Sequence, residues 1–213
     1  MTAAVHVVCA TAGLDLVVPQ GASILDVVRL IDTFELTDVV LVGHSYAGQV
    51  VTAVADRRPD AIARRVYLDA FVGDDGDTAR DLLPETVEHH WAESAAEQGF
   101  GWLVPVRKLS VLGVTEQADL DWLSPKLTPH PSAAGDRCRS STGAGDDVPA
   151  AFVECVSWMR VFAGQADRAR TRGWPVHELE TGHEAMVTAP AELAAVLMDV
   201  AGGLPAAPEK EGI

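Results

Sequence analysis

Short runs rich in β-branched residues alternate along this chain with segments of helical spacing, and that alternation limits what it can fold into. The runs are Ala4 to Cys9, Leu14 to Val18, Asp38 to Val42, Arg65 to Val72, Ala151 to Val156 and Val176 to Leu179. Helical patterns lie between and after them. Ser23 to Phe34 carries apolar residues at Ile24, Val27, Val28 and Ile31, with Ser23 as the expected N-cap. Further helical patterns cover Gln49 to Arg57, Ala163 to Arg172 and Ala191 to Val200. Strands that alternate with helices imply βαβ units and a parallel sheet. The runs are apolar on both faces, as a sheet covered on both sides requires. The expectation is an α/β domain with a mostly parallel sheet of about six strands and helices on both faces.

One stretch breaks the pattern. Residues 74–131 are polar, Trp-bearing and mostly helical in spacing, and residues 132–147 are rich in Ser, Gly and Asp, with little to bury. Residues 74–147 are read as a small helical cap or lid inserted at a strand's carboxyl end. The rest of the 213 residues form one domain, and 202–213 read as a disordered tail.

Composition excludes several functions. Lys+Arg is 16 against Asp+Glu 31, a net charge of −15. A chain that acidic is repelled by phosphate backbones and anionic bilayers, so no nucleic-acid or membrane partner is expected. No apolar stretch approaches a membrane span, and no basic residue precedes Arg29 to make a signal peptide. Cys9, Cys138 and Cys155 form no C-x-x-C pair, which argues against a disulfide framework or structural zinc and for a reducing, cytoplasmic location.

The chemistry points to Val42-Gly43-His44-Ser45-Tyr46-Ala47-Gly48, between a strand and a helix. That is the setting of a nucleophile elbow, in which a serine sits on a strained turn and small residues let two backbones approach. The Tyr46 backbone N–H would then face an oxyanion. A serine needs a base, and His183 follows the last strand in a Gly-containing loop. His44 is expected to point away from the site, and no histidine has metal-ligand spacing with a second ligand. Trp91, Trp102 and Trp122 are candidate pocket residues, with stapling of the cap to the core as the alternative.

With these residues in view, the chain resembles the α/β-hydrolase superfamily, in the branch of plant-type methylesterases, hydroxynitrile lyases and related bacterial esterases. The matching stretches are L-T-D-V-V-L-V-G-H-S-Y-A-G (36–48), V-Y-L-D-A-F-V (66–72), G-W-L-V-P (101–105), L-T-P-H-P (127–131) and G-W-P-V-H-E-L-E-T-G-H-E-A-M-V-T-A-P (173–190). The resemblance implies Ser45 as nucleophile and His183 as base. The family commonly places its acid after the strand before last, but Cys155 to Arg160 holds no carboxylate there. Asp69, at the end of the strand after the elbow helix, is the alternative acid; a structural aspartate is the competing reading, and Asp167 and Glu154 are weaker candidates. The family's His-Gly segment and helix after the first strand are missing. The second oxyanion N–H would therefore fall to Ala10 or Thr11. That shortening also leads to the expectation that the cap or a second copy, in a homo-oligomer, covers a bared sheet face.

The leading expectation is a cofactor-free serine hydrolase of small, uncharged esters or lactones, impaired in rate by the altered oxyanion segment. The alternatives are a lyase, cyclase or isomerase of bacterial secondary metabolism, or a binding protein that has lost its chemistry. Hydroxynitrile lyases carry lysine directly after the base histidine, and Glu184 stands there instead.

Overall fold

The computed structural model describes residues 5–8, 20–131 and 142–202. Strand β1 (Val5–Val8) is followed by helix α1 (Gln20–Thr33), β2 (Val39–His44), α2 (Ala47–Arg57) and β3 (Ile62–Leu68). Between β3 and the next long strand lie α3 (Ala79–Leu82), α4 (Glu85–Gln98), β4 (Leu103–Val104), a 3₁₀ turn at Leu109–Leu112, α5 (Gln117–Leu123) and β5 (His130–Pro131). Then come β6 (Ala150–Cys155), α6 (Ala163–Thr171), β7 (Val176–Leu179), α7 (Ala185–Thr188) and α8 (Pro190–Gly202). The main sheet runs β1-β2-β3-β6-β7, with every pair parallel. The run Leu14 to Val18 lies outside the described residues, as do Cys9, Cys138 and the tail beyond Gly202.

Side chains alternate across the sheet and divide the core in two. Val39, Leu41, Tyr67 and Phe152 face one way and pack with α1, α2 and α6 through Ile24, Val28, Val50, Val54 and Ala166. Val40, Val42, Val66, Leu68 and Val153 face the other way and pack on Leu193, Leu197 and Val200 of α8. Burial on both faces explains why β2 and β6 read as unbroken apolar runs. On the α8 side the sheet face is covered by Leu193, Leu197 and Val200.

Two local readings change. Ser23 lies inside α1 rather than at its cap, because the helix begins at Gln20, directly after Pro19 in the sequence. Strand β3 stops at Leu68, four residues before the end of its apolar run, because Asp69 turns the chain with φ 42°. Ala70, Phe71 and Val72 stay buried, but as a turn over the α2 and α6 side. The inserted segment also holds a short antiparallel pair, β4 with β5, that its polar composition did not announce.

Candidate active site

β2 ends at His44, and the chain enters α2 through Ser45 and Tyr46. Ser45 has φ 54°, a left-handed conformation that is costly for a residue with a Cβ. Main-chain bonds hold it there. The Ser45 N–H donates to the Leu68 carbonyl at 3.2 Å, and the Ser45 carbonyl accepts from Gly48 N–H at 3.2 Å and Phe71 N–H at 3.1 Å. A Cβ on Gly43 would come within 2.6 Å of the Ala47 carbonyl oxygen, and one on Gly48 within 2.2 Å of the Phe71 oxygen. The close approach therefore needs glycine at 43 and 48, while position 47 accepts alanine. Tyr46 is the N-cap residue of α2, at the positive end of the helix dipole.

Sheet register sets the next residue. His44 pairs with Leu68, so Ser45 and Asp69 leave neighbouring strands at the same level. Asp69 is 1% exposed. Its Oδ2 lies 2.7 Å from His183 Nδ1, and its Oδ1 accepts the Cys155 N–H at 3.4 Å. Glu154 instead pairs with Arg160 and Arg170, and Asp167 pairs with Arg170.

His183 follows β7 and is 5% exposed. Its N–H donates to the Leu112 carbonyl at 2.8 Å, which ties the loop to the inserted segment. Its ring stacks on Trp158 and Phe162, with centroids 4.6 and 5.2 Å away. The Ser45 hydroxyl makes no hydrogen bond to His183 here; such contacts commonly tighten only when substrate binds. Burial raises the Asp69 carboxyl well above the carboxylate range, opposed by the Cys155 N–H and reinforced by Glu154. Burial also lowers the His183 imidazole, with the Arg107 charge adding to the effect. Burial thus favours the neutral imidazole and weakens its hold on a second proton.

His44 departs from expectation. It lies behind the base, its Nε2 donating to the His183 carbonyl at 2.9 Å and its ring 4.3 Å from the His183 ring. Beside it, Glu184 is buried, and among the described residues neither His44 Nδ1 nor Glu184 Oε2 has a hydrogen-bond partner. One potential ligand atom from each of His44, His183 and Glu184 lies within 4.8 Å of the others, a grouping that sequence spacing does not reveal. His44 Nε2 and His183 Nδ1 are already engaged by protein oxygens, so a metal would have to use the remaining ring nitrogens.

Burial, with the Asp69 charge second, pushes the Glu184 carboxyl up from 4.5 to about 7. Below the unfolded value of 4.5 the carboxyl is protonated in both states; as pH rises to about 7 the unfolded chain ionises first and stability falls. Glu184→Gln removes that titration. In urea unfolding, the variant should gain on the wild type across this window, by up to about 3 kcal/mol. A difference that stays constant with pH would show that the buried carboxyl is not its source.

Of the other expected site residues, Ala10 and Thr11 lie outside the described residues. Trp91, on α4, packs against the aromatic core cluster. Trp102 is 49% exposed and Trp122 is 55% exposed, with Lys126 over its ring, so the structure does not bring these two to His183. Arg107, which no motif marks, does act on His183 through its charge.

A sequence model of the alpha/beta hydrolase family matches residues 5–196. The chain belongs to that family. It is also 33% identical over 184 residues to a carbendazim hydrolyzing esterase of Nocardioides sp. (strain SG-4G), spanning 80% of this chain and 74% of that protein. Among solved structures, an extracellular alpha/beta-hydrolase from a Paenibacillus species superposes with a TM-score of 0.72 at 20% identity, covering 87% of this chain and 80% of the other. A methylesterase from Arabidopsis gives a TM-score of 0.68 at 21% identity, with 91% and 84% covered. The hydrolase scaffold accounts for the parallel sheet, and no helix among the described residues is long and apolar enough to cross a membrane.

Proposed function

We propose that this α/β-hydrolase chain is a carboxylic ester hydrolase that works through an acyl-enzyme on Ser45. The observation that carries the reading is the 2.7 Å contact between Asp69 and His183, at the sheet level where Ser45 sits strained in its turn. The esterase named among its relatives supports the same reaction class.

In this reading Ser45 Oγ attacks the ester carbonyl while His183 Nε2 takes its proton. Asp69 holds the Nδ1–H and stabilises the imidazolium. His183 then returns the proton to the departing alcohol. Water attacks the acyl-enzyme and gives a proton to His183, which returns it to Ser45 Oγ as the acid departs. The Tyr46 N–H stabilises the oxyanion, with a second N–H assigned to Ala10 or Thr11. Trp158 and Phe162 beside His183 supply an apolar wall for a small substrate. Residues 74–131 act as the cap over it.

A fluorophosphonate probe tests the reading, because it reacts only with an activated serine. Mass spectrometry should find the adduct on the peptide containing Ser45, and Ser45→Ala should remove it. Folded wild-type protein that stays unlabelled would sink the proposal.

A further inference from the structure

We infer that Arg107 and the Trp91 indole form an acceptor-binding wall of the ester site, and that the preferred ester carries a carboxylate beyond its scissile bond. This rests on the serine-hydrolase reading of the same site.

The placement comes first. Arg107 lies between β4 and the 3₁₀ turn Leu109–Leu112. The far end of that turn is fixed to the base. Leu112 accepts the His183 N–H, and a Cβ on Gly113 would come 2.6 Å from the Gly182 Cα. Arg107 thus sits on a strap whose backbone is locked against the His183 loop. Its guanidinium lies 5.5 Å from the Trp91 ring centroid. Trp91 in turn packs against the core on the α1, α2 and α6 side of the sheet.

Charge and hydrogen bonding decide what the wall wants. Acidic residues outnumber Lys and Arg, 31 to 16, and the half-buried Arg168 and the exposed Arg160, Arg170 and Arg172 each reach a carboxylate. Arg107 is half-buried and has no carboxylate within 4.0 Å among the described residues. Loss of hydration lowers its affinity for its own proton, a cost that a salt bridge would offset. The Trp91 Nε1–H is buried and also lacks an acceptor. Arginine and tryptophan side chains donate hydrogen bonds and accept none. Unmet donors on a strap tied to the His183 loop are complementary to an acceptor on the substrate, and a carboxylate facing a guanidinium forms the strongest such contact.

This refines the expectation of uncharged esters that the net charge suggested. A charge of −15 acts through solvent, where salt screens it beyond about 10 Å, whereas Arg107 acts in contact. The combination favours a monoanion over a polyanion.

The test uses Ser45→Ala, which binds without turning over. Calorimetry compares monomethyl succinate, glutarate and adipate with methyl alkanoates of matched length, at about 0.15 M ionic strength. At least one monoanion should bind roughly tenfold tighter than its alkyl counterpart. Arg107→Gln in the same background should erase that preference, while Arg107→Lys keeps part of it by keeping the charge and losing the planar fork. Trp91→Phe, which keeps the ring and removes the donor, should weaken it. If no monoanion is preferred, or the preference survives Arg107→Gln in protein with unchanged circular dichroism, the inference is overturned. Fluorophosphonate labelling reads the other proposal separately. Labelled wild type without a carboxylate preference defeats only this inference, and a preference in unlabelled protein defeats only the hydrolase reading.

Discussion

Ser45→Ala should lower kcat/KM on a short-chain p-nitrophenyl ester by about 10⁶, close to the whole contribution of a nucleophile–base unit. Steady-state kinetics with a sensitive chromogenic ester measures the loss. The fold should be untouched. The bonds that hold residue 45 are all main-chain: its N–H to Leu68, and its carbonyl to Gly48 and Phe71. Alanine keeps all three and meets the same left-handed strain at φ 54° as serine does. Unfolding midpoints should therefore agree between variant and wild type. Retained turnover in the variant would place the reaction elsewhere. A loss of both turnover and stability would mean that the serine hydroxyl supports the turn rather than the chemistry.

Asp69→Asn should cost about 10⁴ in kcat, through the wrong imidazole tautomer rather than through displacement of the ring. An asparagine amide facing Nδ1 can donate to it and so favours the proton on Nε2, the atom that must accept from Ser45. The ring itself remains packed against Trp158 and Phe162, and the Leu112 carbonyl holds the His183 backbone N–H. Because the native carboxyl is penalised for ionising in its buried site, removing its charge should not destabilise the fold above neutral pH. The decisive measurement pairs kcat with the pH profile. A variant within tenfold of wild type, with an unmoved acid limb, would make Asp69 a structural group bonded to Cys155.

Where steric or periodic constraints act, this chain could be read from its residues alone. The elbow leaves its mark because Gly43 and Gly48 face backbone at distances that no Cβ fits. The strands show because both faces of β2 and β6 are buried. Order along the chain does not decide the acid, since the family's usual place after β6 holds no carboxylate here and Asp69, Glu154 and Asp167 compete for the role. Register supplies what chain order lacks: it sets Leu68 beside His44 and so brings Asp69 level with Ser45. Strand β3 was over-read through Val72 because Ala70, Phe71 and Val72 are apolar for the sake of a buried turn, and composition does not separate a buried turn from a buried strand. His44 and Arg107 were invisible for another reason. Each reaches His183 from a distant part of the chain, and the strap that carries Arg107 has no repeat period to betray its route.

In the proposed mechanism, placing the acid at Asp69, just after β3, has an effect beyond the acid itself. With the carboxylate supplied from the neighbouring strand, the segment after β6 has no charged duty toward His183. It provides Trp158 and Phe162 instead, two flat surfaces against which the imidazole ring lies. Orientation of His183 is thereby divided between a hydrogen bond at one ring nitrogen and two aromatic contacts that also pack on each other. Substitutions after β6 can then reshape the space next to the base, and with it the selection of substrates, without disturbing the carboxylate contact.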